Sequence, residues 1–314
     1  MSTRPRIYIL DAFHPAGVEL ASSAADVVLW DDPRVADWPD HADGVMVRMT
    51  RITAPDLARA RSLKIVCKQG VGFDSIDLEA ARAAGIPVSR TPGVNSEAVA
   101  EMAFALTLAV ARRVPEFDRM LRAGTKIVRP DFLGVQLHGK TVGVIGMGAI
   151  GTIAARKWRG AFDADIVAYD PHVGPDAWAD TPHRRVAALA ELLRASDVVT
   201  LHVPLTDETR HMIDAKALAL MKADAILVNV SRGGIVDEAA LYDTLQAGRI
   251  FGAGLDVFEI EPPPPDAPLL QLPNLVATPH AAGGTRETQE RSALQVAQQV
   301  LDVLAGKPAV NRVA

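Results

Sequence analysis

Short apolar runs alternate with Ala/Leu-rich helical runs along almost the whole of this chain, and no other feature restricts its fold as tightly. The first series is RIYILD (6–11), ADVVLW (25–30), DGVMVRM (43–49), LKIVCKQG (63–70) and IPVSR (86–90). Helical stretches such as APDLARARS (54–62) and DLEAARAAG (77–85) lie between them. The second series is KTVGVIGMG (140–148), DIVAYD (165–170), DVVTLHV (197–203), AILVNV (225–230), GAGLDV (252–257) and NLVATPH (274–280). Runs that are apolar without polar alternation suit strands covered on both faces, as in a parallel sheet with helical crossovers. The pattern predicts an α/β fold.

Two longer helical runs bracket the second series. SEAVAEMAFALTLAVARRV (96–114), with Asn95 or Ser96 as N-cap, is apolar nearly all round and is expected to be buried. The last, 285–305, stops at Gly306 and Pro308. The bracketing predicts one domain inserted into another, with the C-terminal helix returning to the first. The 314 residues suffice for two ordinary domains. The expected division is 1–98 with 282–314, and 99–281.

Composition removes several classes of function. A net charge of −5 argues against a nucleic-acid partner, which normally shows as a basic excess. No run reaches the ~18 apolar residues of a membrane span, and MSTRPRIYIL lacks the apolar core of a secretory signal. The single cysteine, Cys67, rules out an internal disulfide and a cysteine-based zinc site, and fits a reducing cytoplasm. No metal is expected.

Chemistry-bearing residues sit at the ends of the apolar runs. VGVIGMGAIG places Gly146, Gly148 and Gly151 in G-x-G-x-x-G spacing between a strand and a helix. Such a turn lets a pyrophosphate approach the helix N-terminus, with Ala149 and Ile150 in its first turn. Asp170 follows Gly151 by 19 residues, where a carboxylate can accept from an adenosine ribose and repel a 2′-phosphate. NAD is therefore expected as cofactor, and NADP less so; the alternative is a structural turn with a surface acid. Arg232 follows a strand between Val230 and a pair of glycines, and can hold a carboxylate through two parallel hydrogen bonds. Equally it can be a surface arginine beside Asp237. His280 ends another run, stiffened by Pro279, and suits proton transfer at a carbonyl oxygen. His202, in TLHVP with Val203 and Pro204, competes for that role. Glu261 precedes four consecutive prolines and is expected to meet His280 in space. Asp256 either orients a nicotinamide carboxamide or caps a turn.

Taken in order, GMGAIG, YDP, LHVPLT, VNVSRGGIVDE, GLDVFEIEP and TPHAAG resemble the D-isomer-specific 2-hydroxyacid dehydrogenases, and KQGVGFDSIDLEAARAAGIPVSRTPGVNSEAVAE (68–101) is similar to that family's substrate-domain signature. The resemblance spans nearly the whole chain. It implies a Rossmann domain inserted into a flavodoxin-like substrate domain. It also implies an Arg–Glu–His catalytic set, falling here on Arg232, Glu261 and His280. Arg232 would anchor the carboxylate, His280 would exchange a proton with the 2-keto oxygen, and NADH would supply hydride. His202, Val203, Pro204, Val230, Asp256 and His280 would line the cofactor. Val71, Gly72 and Asn95 would meet the substrate, with Arg48 and Lys68 near a polar or anionic tail. Lys68 departs from the arginine usual in the phosphoglycerate members. The resemblance further implies a homodimer through the 96–114 helix and the 113–138 segment, with Trp158 nearby. An NAD-sensing binding protein of the co-repressor type and a dehydrogenase of an inorganic anion such as phosphite share the same residues, and both stay open at this point.

Overall fold

The computed structural model describes residues 4–314. The chain forms two compact units: the first runs through Asn95 and resumes with Gly284–Ala314, and the second is Ser96–Gly283.

The first unit is built on five parallel strands: β1 (Arg6–Ile9), β2 (Asp26–Val28), β3 (Gly44–Val47), β4 (Ile65–Lys68) and β5 (Val88–Arg90). Their order, β2-β1-β3-β4-β5, is the flavodoxin-like arrangement. Every residue of β3 and β4 is buried, which explains why those runs lack polar alternation. One face packs Ile7, Ile9, Met46 and Ile65 against Val296 and Val300 of the helix Arg286–Leu304. That helix also presses on the helix Pro15–Ala24, where a Cβ on Gly17 would stand 2.7 Å from Ala293. The opposite face gathers Val45, Val47, Val66 and Val88 with Trp38 and Leu57. The chain's last residues return to the sheet edge, where Val313 N donates to Val88 O at 2.8 Å.

The second unit holds seven parallel strands: β6 (Thr141–Ile145), β7 (Asp165–Tyr169), β8 (Arg184–Arg185), β9 (Val198–Leu201), β10 (Ile226–Asn229), β11 (Gly252–Leu255) and β12 (Leu275–Ala277). The order β12-β11-β10-β9-β6-β7-β8 reverses direction between β6 and β9, the switch point of a Rossmann sheet. β8 had no signal in the sequence, because two exposed-edge arginines carry no apolar run.

The helix expected over 96–114 spans Ser96–Ala111. It stops early because Arg113 takes a left-handed backbone (φ 53°), and a new helix, Val114–Arg122, starts with Pro115 in its first turn. The first of these helices lies close against β11. A Cβ at Gly252 would meet Val110 at 2.7 Å, and one at Gly254 would meet Leu106 at 2.8 Å. Trp158, expected near a subunit contact, is fully buried and stacked on Phe104 with ring centroids 4.2 Å apart. It is a core residue of this unit.

Candidate active site

The glycine turn after β6 sits at the switch point, and each glycine has its own reason. Gly146 has φ 96°, and an added Cβ would stand 2.4 Å from the His202 carbonyl oxygen. At Gly151 the same atom would lie 2.0 Å from the Gly146 carbonyl oxygen, so only glycine lets the helix Ala149–Phe162 sit this close to the turn. A Cβ on Gly148 would meet nothing within 4 Å. Gly148 is thus the one position whose missing side chain serves an open space at a helix N-terminus, as pyrophosphate binding requires. Asp170 ends β7 and already binds the turn: Met147 N donates to Oδ2 at 2.8 Å and His172 N to Oδ1 at 2.9 Å. Its remaining lone pairs are available to hydroxyl donors. The residues fit a dinucleotide.

At the ends of β10, β11 and β12 the structure brings Arg232, Glu261 and His280 onto one backbone frame. Glu261 Oε2 lies 2.7 Å from His280 Nδ1, and its Oε1 accepts from Phe258 N at 3.0 Å. An ionised carboxylate only accepts, so Nδ1 carries the hydrogen and Nε2 is left to exchange a proton. Both side chains remain partly open, at 34% and 43% exposure, as a pair that must meet a substrate should be. His280 has φ 51°, a left-handed conformation costing roughly 1–3 kcal/mol at a non-glycine residue. Asp256 holds it there. The Asp256 carbonyl accepts from His280 N at 2.7 Å, and its fully buried carboxylate takes Thr278 Oγ1 at 2.6 Å, Ala281 N at 2.8 Å and Ala282 N at 2.9 Å. Of the two roles open to Asp256, these bonds display the turn-holding one.

Arg232 is set by buried Asn229, whose amide donates to the Arg232 carbonyl at 2.9 Å while its oxygen accepts from Ser231 N at 3.0 Å. One guanidinium nitrogen donates to Ser231 O at 2.6 Å. Asp237 caps the helix Glu238–Gln246, accepting from Ala240 N at 3.0 Å. Val230 is buried beneath. His202 is half-buried, bonds Thr200 Oγ1 through Nε2 at 3.0 Å, and keeps Nδ1 out of solvent with no partner among the described residues. Burial pushes its pKa down to about 3, so it stays neutral where a proton donor must be charged. That weakens it as a rival to His280. Val203 and Pro204 continue from it beside the glycine turn, Val203 within reach of a Cβ at Gly146.

In the first unit, Arg48, Lys68, Val71, Gly72 and Asn95 lie at or beyond strand ends. Lys68, expected near a substrate tail, is buried, its ammonium donating to the Arg48 carbonyl and, at 3.4 Å, to the Gln69 carbonyl. Its long stem carries the charge back beneath the neighbouring turn. Arg48 is half-buried, and its guanidinium has no hydrogen bond or ion pair among the described residues. Val71 and Gly72 lie in a half-buried loop, and Asn95 Oδ1 is buried without a partner among the described residues.

Sequence reasoning missed Asp11. It lies two residues beyond the end of β1 and accepts from Arg48 N (2.5 Å), Met49 N (3.0 Å), Thr50 N (3.1 Å) and Thr50 Oγ1 (2.8 Å). Its signal was the one used for Asp170 and Asp256, an acid closing an apolar run. Asn229 was missed because it lies inside a run rather than after it.

A family model described as "D-isomer specific 2-hydroxyacid dehydrogenase, NAD binding domain" matches residues 104–282. A D-3-phosphoglycerate dehydrogenase of Archaeoglobus fulgidus is 43% identical over 86% of this chain and 51% of its own length. The chain thus spans about half of that relative, and 59% of the similar enzyme of Methanocaldococcus jannaschii. A glyoxylate reductase of Aeropyrum pernix is 42% identical over 99% of this chain and 96% of its own. Among solved structures, an NADPH-dependent glyoxylate/hydroxypyruvate reductase of Sinorhizobium meliloti superposes with a TM-score of 0.87 at 31% identity, covering 99% of this chain and 98% of that one.

Proposed function

The chain belongs to the D-isomer-specific 2-hydroxyacid dehydrogenases, and from that premise we propose that it transfers hydride between NAD(H) and a small 2-hydroxy or 2-keto acid. The observation that carries this reading is the 2.7 Å Glu261–His280 pair at the strand ends of the same sheet that bears the open glycine turn. Arg232 holds the substrate carboxylate and polarises the 2-keto oxygen. His280 gives a proton from Nε2 to that oxygen, and takes it back in oxidation, while Glu261 fixes the ring. The amides of the Gly148–Ile150 turn hold the pyrophosphate, and Asp170 holds the ribose and disfavours a 2′-phosphate. NADH held there supplies the hydride.

The substrate in this reading is a keto acid with a polar or anionic tail. Its support is Arg48, a half-buried guanidinium whose side chain has no partner among the described residues, with a backbone fixed by Asp11. A homodimer belongs to the same reading. Leu121 and Leu133 are about 70% exposed, Val114 55%, and no residue of the helix Val114–Arg122 is buried. Such exposed apolar side chains suit a second copy of the chain. A cytoplasmic location is included: Cys67 is a buried free thiol, and among the described residues no helix is long and apolar enough to cross a membrane.

The test is NADH oxidation against glyoxylate, hydroxypyruvate, phosphohydroxypyruvate, sulfopyruvate, 2-ketogluconate, oxaloacetate and pyruvate. Turnover of one of these, lost in His280→Ala, supports the reading. NADH binding without turnover of any favours a sensor or an inorganic-anion dehydrogenase.

A further inference from the structure

The three site residues arise from three separate loops, and two of those loops, those of Arg232 and Glu261, lean on the segment Phe258–Glu259. From below, the turn carrying Arg232 touches it: a Cβ on Gly233 would stand 1.8 Å from the Phe258 carbonyl oxygen and 2.7 Å from Glu259 N. From above, Phe258 N donates to Glu261 Oε1 at 3.0 Å, which turns the other carboxylate oxygen toward His280. The buried Phe258 ring anchors the peptide on one side. On its other side the anchor is Glu238, in the first turn of the helix Glu238–Gln246.

Glu238 and Glu259 form a reciprocal clasp. Glu259 N donates to Glu238 Oε1 at 2.6 Å, and Glu238 N donates to Glu259 Oε1 at 3.3 Å. His211 Nε2 lies 3.1 Å from the same Glu259 oxygen, and His211 is itself pinned by its N donating to Gly234 O at 2.7 Å. The clasp therefore joins the helix, the Arg232 turn and the Glu261 loop.

We propose that Glu238 is a positioning residue: its carboxyl oxygen, by holding the Glu259 amide, sets the loop that aims Glu261 at His280. This rests on the dehydrogenase reading above. What the clasp needs is an acceptor oxygen at the right reach, not a negative charge. Burial, with the neighbouring carboxylates of Glu259 and Glu261, raises the Glu238 pKa, so charge is already disfavoured there, while the Glu259 amide and His211 oppose that rise. A small misplacement of a catalytic pair costs far more in rate than in binding.

Two substitutions separate reach from charge. Glu238→Gln keeps the acceptor oxygen and its reach but removes the charge. Glu238→Asp keeps the charge but withdraws the oxygen by one methylene. The readouts are kcat, the KM for NADH, and the downfield proton resonance of the His280 Nδ1–H, assigned by its absence in His280→Ala. Positioning requires Glu238→Asp and Glu238→Ala to lose kcat by roughly 10–100-fold, with the KM for NADH within about twofold and the resonance broadened or lost. Glu238→Gln rescues both kcat and the resonance. The proposal is overturned if Asp retains activity while Gln does not. It is equally overturned if Ala lowers thermal stability and leaves kcat and the resonance intact. A His280→Ala enzyme that still turns over would instead sink the underlying reading, so the two failures are distinct.

Discussion

Two strand-end clusters of this molecule use the same kinds of side chain for different ends. At β10–β12, Glu261 and His280 face each other across 2.7 Å, and backbone groups hold them from behind. At the turn after β3, Asp11 and Lys68 face the backbone itself: Asp11 takes three successive amides, and Lys68 gives its ammonium to the Arg48 carbonyl. In the first cluster an acid and a base face each other, as proton transfer would need. In the second, the Asp11 carboxylate and the Lys68 ammonium both bond the backbone of the turn, and the guanidinium of Arg48 stands without a partner among the described residues. An acid and a base at strand ends are thus not in themselves a catalytic signal. What distinguishes the clusters is where the carboxylate goes: Asp11 gives both oxygens to the turn around Thr50, whereas Glu261 gives one oxygen to His280.

The largest expected effect breaks the first cluster. His280→Ala is expected to lower kcat by roughly 10²–10⁴-fold, and Glu261→Gln by less, since an amide still accepts from Nδ1–H; steady-state NADH oxidation checks both. Removing the support of the second cluster should act on stability before chemistry. Asp11→Ala strips acceptors from three amides and a hydroxyl at once, and should cost about 2–3 kcal/mol in urea unfolding, with a raised KM for tail-bearing keto acids and a smaller change for glyoxylate. If Asp11→Ala instead lowered kcat for every substrate as strongly as His280→Ala, the distinction between the clusters would fall.

His202 extends the comparison to pH. It is a strand-end histidine with no carboxylate, and burial holds its folded pKa at about 3, against an ordinary value of 6.5. Between these values the unfolded chain binds the proton and the folded one does not, so stability rises with pH through that window. The contribution is full above pH 6.5 and is lost progressively as pH falls toward 3. From pH 7 to pH 5 the loss should be about 2 kcal/mol, and His202→Phe should flatten that part of the curve in denaturant titrations. A smaller effect sharpens the cofactor side: Asp170→Ala should narrow the preference for NADH over NADPH by roughly tenfold, read from the ratio of kcat/KM values. An unchanged ratio would leave Asp170 as a holder of the Met147 amide alone.

Most of the architecture was legible because buried parallel strands leave apolar runs and because glycine, acid and proline mark their ends. Among the described residues, eleven of the twelve strands fall within the runs read from sequence. Only β8 does not, an edge pair of arginines with no apolar partner spacing. The candidate site residues were legible where a polar group closes such a run, as at Asp170, Arg232 and His280. Asp11 met the same rule and was passed over. Glu238 could not be found that way, because its role depends on an amide 21 residues away in the chain.

The sequence by itself determined the alternation of strands and helices, the glycine turn, the strand-end identities and the family they resemble, since these are local patterns of side-chain type and backbone freedom. Only the tertiary structure decided which charges meet one another and which meet the backbone. Lys68 turned inward while Arg48 did not, and Glu261 was aimed at His280 through a peptide clasped by Glu238. Those outcomes depend on distances between segments far apart in the chain, where a hydrogen bond forms or fails within a few tenths of an ångström.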